Sequence, residues 1–335
     1  MKDIARELGT SVATVSRALK DSPRISAEQR QRIQQYAREH NFTPNVLAES
    51  LRLSRVHPQK LIGVIVPELV HYYFATILKG IEEEAEARGY RIMVAQSGEH
   101  YEREVRLCQS FYENKVCGII VSQAKDTRQY DHFQRLIDAG VPIVFYDRIC
   151  TGVNASRVVV DDYMGAFKAV SYLIETGCRR IAFFGASMNL EISKNRFNGY
   201  KDALLRHGLP FDERLTRVCD NRSNAELTTP TLFDGNSNEY PDAFFAINDD
   251  TAVGILSTVK RMGMRVPEDI SICGFTNSDR ATSCDPQLTT VEQYGVRVGE
   301  EACNILIGHA EGSIPMDHVE RRVIRTHLII RGTTR

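Results

Sequence analysis

The sequence predicts an all-helical head followed by an α/β core of two doubly wound subdomains, and three observations lead there. The first 57 residues carry only helical periodicity, short apolar runs alternate with amphipathic stretches from position 61 onward, and the charge changes sign between the two parts. The head holds ten basic and six acidic residues, a formal +4, whereas the other 278 residues hold 32 and 37, a formal −5. A basic head on an acidic body points to a polyanion partner for the head alone. At 335 residues the chain is long enough for two or more domains, and 42% hydrophobic with 25% charged residues excludes disorder. No apolar run reaches the roughly 18 to 20 residues that span a bilayer, so no membrane partner is expected. The start, MKDIARELG, lacks the apolar stretch of a signal peptide, and the eight cysteines are scattered without CxxC or His/Cys clusters. A cytoplasmic chain with free thiols, no metal and no cofactor is expected.

Within the head, Lys2 to Leu19 fit a helix-turn-helix. Ile4, Ala5 and Leu8 form an inner face, Gly9 supplies the turn, and Ser11 can cap a second helix carrying Val15 and Leu19 at i, i+4 spacing. Ala5 and Ala18 are small enough to let the two helices approach. Ser26-Ala27-Glu28-Gln29 reads as a capping box that opens a third helix, with Ile33, Ala37 and Phe42 turned inward. Met1 directly precedes Lys2, so the first helix lacks a polar cap, a loss of about 1 kcal/mol. A further helical stretch, NVLAESLR, follows before Pro58.

The core alternates in order LIGVIV, FATILKGIEEEAEARG, RIMVAQ, EREVRLCQSFYEN, GIIVS, HFQRLIDAG and PIVFYD, and then RVVVD, MGAFKAVSYLIETG, RIAFFG, RFNGYKDALLRHG, AFFAIN, TAVGILSTVKRMG and ISICGF. Continuous apolar runs suit strands buried on both faces, and helices closing at Gly89, Gly140, Gly177, Gly208 and Gly263 suit a parallel layered sheet. There are more βα units than one sheet usually takes. Two subdomains are expected, with a cleft at the carboxyl ends of their strands.

The string KDIARELGTSVATVSRALKDSPRISAEQRQRIQQYAREHNFTPNVLAESLR resembles the DNA-binding head and hinge of the lactose-repressor (LacI/GalR) family of bacterial transcription regulators. TVSRAL, Ile25-Ser26, the F-T-P-N step and A-x-SLR match in order and spacing, and LIGVIVP, GVPIVFYDR, NRFNGYKDAL, AINDDTAVGIL, GMRVPEDISICGF, PQLTTV and LIIR continue the match along the chain. The resemblance implies a periplasmic-binding-protein-like core that dimerises. It also implies a helix-turn-helix domain over 1–43, a hinge helix and linker over 44–60, and an effector-binding core over 61–335. Its first subdomain would take about 61–160 plus 291–318, and its second about 161–290 plus 319–331.

Carried over residue by residue, the resemblance places Val12, Ala13 and Arg17 against base edges in the major groove of double-stranded operator DNA. Arg17 can fork onto guanine, and Val12 and Ala13 can meet a thymine methyl. Thr14 and Ser16 suit phosphate contacts. Asn45 to Arg52 match the hinge helix, with Leu51 in the place of a minor-groove wedge. Glu49 stands where the family commonly has a base, which would repel phosphate. In the core the family's ligand positions fall on Tyr73, Phe74, Arg196, Asn248 and Thr276. Tyr73 and Phe74 would give a stacking wall, and Arg196 and Asn248 would give polar contacts.

Thr276 stands where many relatives have an aspartate that binds sugar hydroxyls. Its neutrality leads to the expectation of a positive pocket around Arg196 and an acid-bearing ligand. The effector class otherwise expected is a small polar metabolite, carbohydrate by resemblance. Two other classes, a transporter-linked solute-binding protein and a cleft enzyme, are disfavoured. The basic head opposes the first, and the lack of GxGxxG, P-loop, GxSxG and HExxH motifs opposes the second. The pairs Asp161-Asp162 and Asp249-Asp250 are expected to cap helices rather than form a catalytic dyad. No heptad-rich tail follows Arg331, so a homodimeric repressor, not a coiled-coil tetramer, is the expectation.

Overall fold

The computed structural model describes residues 1–19, 21–40, 42 and 59–335, and the chain divides into two compact units, Met1–Gln59 and Lys60–Arg335. The head has three described helices, α1 (Lys2–Glu7), α2 (Val12–Leu19) and α3 (Ala27–Glu39). Their inward residues Ile4, Ala5, Val15, Ala18, Ile33 and Ala37 form one small core, with Leu8, Leu19, Ile25 and Phe42 packed against it. Gly9 makes the turn at φ +61, a left-handed conformation that side chains rarely adopt. Ser11 Oγ accepts the Thr14 N–H at 3.1 Å, and Ser26 Oγ accepts the Gln29 N–H at 3.3 Å, so both hydroxyls hold helix starts. Met1 supplies no side-chain cap to α1. Gln34 adds a tie not visible in the apolar pattern, donating to Ala18 O at 2.9 Å and to Asp21 Oδ1 at 2.8 Å. The expected hinge helix, with Asn45, Glu49 and Leu51, lies outside the described residues.

The second unit has two lobes, each built on a six-stranded sheet. The first lobe runs β1 (Leu61–Val66), α4 (Tyr72–Ala87), β2 (Arg91–Gln96), α5 (Tyr101–Glu113), β3 (Gly118–Val121), α6 (Asp131–Asp138), β4 (Ile143–Tyr146) and β5 (Ser156–Val160). The second runs α7 (Asp162–Glu175), β6 (Ile181–Gly185), α8 (Glu191–Arg206), β7 (Thr216–Val218), α9 (Arg222–Thr228), β8 (Ala243–Ala246), α10 (Asp249–Arg261), β9 (Ser271–Thr276), α11 (Asp279–Ser283) and β10 (Thr289–Glu292). The chain then returns through α12 (Gly295–Ala310) to β11 (Arg321–Ile324) and finally β12 (His327–Ile329). The strand orders are β11-β5-β4-β3-β1-β2 and β12-β10-β9-β8-β6-β7, parallel throughout except where β10 meets β12.

Central strands such as β3, β4, β6 and β8 are buried at every residue, which is why they read as unbroken apolar runs. Gly89, Gly140, Gly177, Gly208 and Gly263 each take positive φ just after a helix, ending it as the sequence leads one to expect. Helices α4 and α12 cross over the first sheet with backbones in direct approach. A Cβ on Gly80 would collide with Val296 O, and one on Gly299 with Ile77 O, so only glycine permits this packing.

The sheets correct the expected subdomain limits. β10 extends the second lobe to Glu292, and β11, placed by sequence in the second lobe, pairs with β5 in the first, Arg321 opposite Arg157. The chain changes lobe once more between β11 and β12. Nothing in an apolar pattern says which partner an edge strand's backbone will choose, so RRVI and HLI read as one segment in the sequence.

Candidate functional site

The head presents its candidate DNA contacts on the outer face of α2. Val15 and Ala18 turn inward, and the 3.6-residue repeat then leaves Val12, Ala13 and Arg17 exposed with Thr14 and Ser16 partly exposed. Among the described residues the Arg17 guanidinium makes no hydrogen bond or ion pair. Thr14 is less free, since its hydroxyl lies 2.8 Å from that of Ser11. The face therefore offers one forked cation, two apolar surfaces and short hydroxyls, a set able to meet base edges and phosphates.

In the core, Tyr73, Phe74, Arg196, Asn248 and Thr276 line one cavity of about 230 Å³ between the lobes. They come from four places in the fold: the first turn of α4, the early part of α8, the segment between β8 and α10, and the end of β9. Tyr73 and Phe74 belong at the same time to the first lobe's apolar core, so packing and cavity wall are one role here. The Tyr73 hydroxyl is buried without a partner, and burial holds it well above the usual tyrosine pKa.

Arg196 is 4% exposed and already engaged. Its Nε and Nη2 each lie 2.7 Å from Asp162 Oδ1, its Nη1 donates to Ile247 O at 2.5 Å, and its plane sits 3.8 Å from the Phe275 ring centre. Burial pushes Asp162 up to about 6, with the Arg196 charge opposing that rise. Asn248 caps α10, accepting from Thr251 N at 2.8 Å, and its amide donates to Asp220 O at 2.8 Å. Thr276 donates its hydroxyl to Gln293 Oε1 at 3.0 Å. Thr276 and Asn277 both have positive φ, +131 and +59, a strained pair held at the end of β9.

Residues 1–45 match the family described as "Bacterial regulatory proteins, lacI family", and residues 170–334 match "Periplasmic binding protein-like domain". The HTH-type transcriptional repressor CytR of Escherichia coli (strain K12) is 31% identical over 340 residues, covering 100% of this chain and 96% of that one. This chain belongs to the lacI family. Among solved structures, a transcriptional regulator CelR–cellobiose complex superposes with a TM-score of 0.75 at 26% identity, covering 98% of both chains. The lac repressor dimer bound to operator and an anti-inducer superposes with a TM-score of 0.84 at 22% identity, over 99% of this chain and 98% of that one, a likeness of fold. As a lacI-family member the protein is a DNA-binding transcription regulator.

The cavity corrects the charge expectation. Five carboxylates line it, from Glu68, Glu99, Asp147, Asp220 and Asp250, against three cations, Lys125, Arg148 and Arg196. Each cation already faces an acid: Arg148 Nη1 lies 2.6 Å from Glu99, Lys125 Nζ 2.7 Å from Asp220, and Arg196 beside Asp162. The loss of a carboxylate at 276 therefore does not make the pocket positive. Sequence pattern could not show these partners, because they come from strands far apart along the chain.

The helix-opening acid pairs are also corrected in part. Asp161 does cap α7, accepting from Met164 N at 3.1 Å, but Asp162 serves Arg196. In the other pair Asn248 takes the cap, Asp249 is buried against Ser278 and Thr290, and Asp250 meets Arg280 at 3.1 Å.

Sequence reasoning missed Asp147, Arg148, Lys125, Asp220 and Gln293. Each follows a strand within a few residues, Gln293 directly after β10, so the rule that parallel sheets bind ligands beyond their carboxyl ends was the available signal. Asp147 stands out: it is buried, takes φ +57, and makes no hydrogen bond through its carboxylate among the described residues. Burial raises its pKa, with Arg148 and Arg196 pulling the other way.

Proposed function

We propose that this regulator is a homodimeric repressor whose affinity for a two-fold operator is set by a small, uncharged, hydroxyl-rich ligand of the carbohydrate class bound between the lobes. One observation carries the ligand class: every cation around the cavity is already matched by an acid, while the Asp147 carboxylate, 3.9 Å from Arg148 Nε, accepts no hydrogen bond among the described residues. Carboxylates accept charge-assisted hydrogen bonds from hydroxyls, and an anionic ligand would find no unpaired cation. Phe74 and Tyr73 supply the flat apolar wall, and Arg196, held rigid by Asp162 and Phe275, offers its remaining N–H groups without paying to be ordered. The CelR structure, which contains cellobiose, is in keeping with this class.

In the head, Arg17, Val12 and Ala13 read bases while Thr14 and Ser16 meet phosphate, with Asn45 and Leu51 acting from the hinge. The cleft senses and does not turn its ligand over, and the protein acts in the cytoplasm. Ligand control needs only that the two core conformations bind the ligand with different affinity.

Calorimetric titration of the full chain with matched pairs, a pentose or hexose against its phosphate and its uronic acid, tests the ligand class. The neutral member should bind more tightly, and tighter binding of the acid member overturns it. Selection from random DNA should return inverted half-sites, and recovery of single asymmetric sites would remove the dimeric operator.

A further inference from the structure

Among the described residues one side-chain ion pair joins the two lobes of the core, Lys125 Nζ to Asp220 Oδ2 at 2.7 Å. Lys125 follows β3 of the first lobe and Asp220 follows β7 of the second, and both line the cavity. The pair is thus made across the opening between carboxyl strand ends, apart from the three strand connections that link the lobes.

Both partners sit on prepared backbone. The loop carrying Lys125 is tied down by two acids. Glu99 accepts the Lys125 N–H at 3.0 Å, and buried Glu104 accepts the Ala124 N–H at 2.7 Å, the Thr127 hydroxyl at 2.8 Å and His132 Nε2 at 3.0 Å. Arg128 Nη1 further donates to Lys125 O at 2.7 Å. On the opposite side the Asp220 carbonyl receives the Asn248 amide, the same residue that faces the ligand space. Pre-ordered ends lower the entropy that an ion pair of this kind must overcome.

We propose that Lys125 and Asp220 form a bar that holds the lobes closed over the cavity and ties that closure to Asn248. A ligand contacting Asn248 then stiffens the segment bearing Asp220, and the bar carries the effect to the first lobe. The function of the bar rests on the reading of the cleft as a ligand site, but its existence as a closing contact does not.

The test needs no ligand, so its failure and that of the effector assignment are separable. Spin labels are placed at 112 and 205 through a non-canonical residue, both positions being exposed, one on each lobe, in full-length protein diluted with unlabelled chain. Electron–electron resonance then reads the interlobe distance. Lys125→Asp and Asp220→Lys should each shift the distribution to longer distances, and the exchange double variant should return it towards the wild type. Lys125→Arg keeps the charge and should match the wild type, which separates loss of the bar from loss of folding. Unchanged distances in both single reversals, or a double variant no closer to wild type than the singles, overturn the proposal.

Discussion

The outer face of α2 in the head and the wall of the core cleft set similar residue types in opposite environments. On α2 Arg17 stands exposed and, among the described residues, unbonded, whereas in the cleft Arg196 is buried and held by a carboxylate, a carbonyl and a ring. A surface that meets a long polyanion gains from the partner's own phosphates and base edges, so its side chains can wait in water. A small ligand supplies few contacts, so its pocket must be satisfied and rigid beforehand. Free polar groups mark the first kind of site and engaged ones the second, and mutations at the two should separate stability from recognition.

The largest expected effect comes from Arg196→Ala. Sequence alone suggests that this protein would fold and bind operator while losing its ligand response, but removing the guanidinium leaves Asp162 buried and unpaired. Breaking such a pair costs about 3–5 kcal/mol, visible as a lower midpoint in denaturant unfolding of the core. Replacing both partners together, Arg196→Met with Asp162→Leu, should recover most of that loss. If Arg196→Ala is as stable as the wild type, the contrast with the head fails.

Arg17→Ala should leave the unfolding of the core unchanged and relax preference at one guanine per half-site by about 1–3 kcal/mol. Binding to a panel of single-base operator variants measures this. Uniform weakening across the panel would make Arg17 a phosphate contact instead.

A smaller effect is expected at the start of α3, where Ser26→Ala removes the acceptor of the Gln29 N–H and should cost the head about 1 kcal/mol. Thermal unfolding followed by helical circular dichroism of the head would show it. Ser26→Asp, which retains an acceptor, should not.

The pH dependence of Asp162 gives a separate signal. Burial raises its pKa from 3.8 to about 6, so the folded chain keeps a proton that the unfolded chain has lost. This group's contribution to stability is therefore full below pH 3.8 and is lost as the pH rises through 6. Asp162→Asn should remove that component from a stability profile taken between pH 4 and 6. A profile parallel to the wild type would mean that Arg196 keeps the carboxyl ionised throughout.

The periodic parts of the protein were legible in the residues themselves. Ile4, Val15, Ile33 and Ala37 fall at helical spacing, and short apolar runs such as LIGVIV and AFFA between amphipathic stretches suit strands buried on both faces, so head and layers follow from local pattern. Five candidate effector positions could be named because the resemblance to the LacI/GalR family carried them over, each beside a recognisable strand or helix start. Tertiary structure decided what those positions touch. The pairing of Arg196 with Asp162, of Lys125 with Asp220 and of Arg148 with Glu99 depends on which strand ends meet at the cleft, and so does the sheet that β11 joins. Side-chain periodicity records which face is apolar. It carries no term for the long-range charge and backbone partners that set the pocket's polarity, and these arise only once the sheets have closed around the cavity.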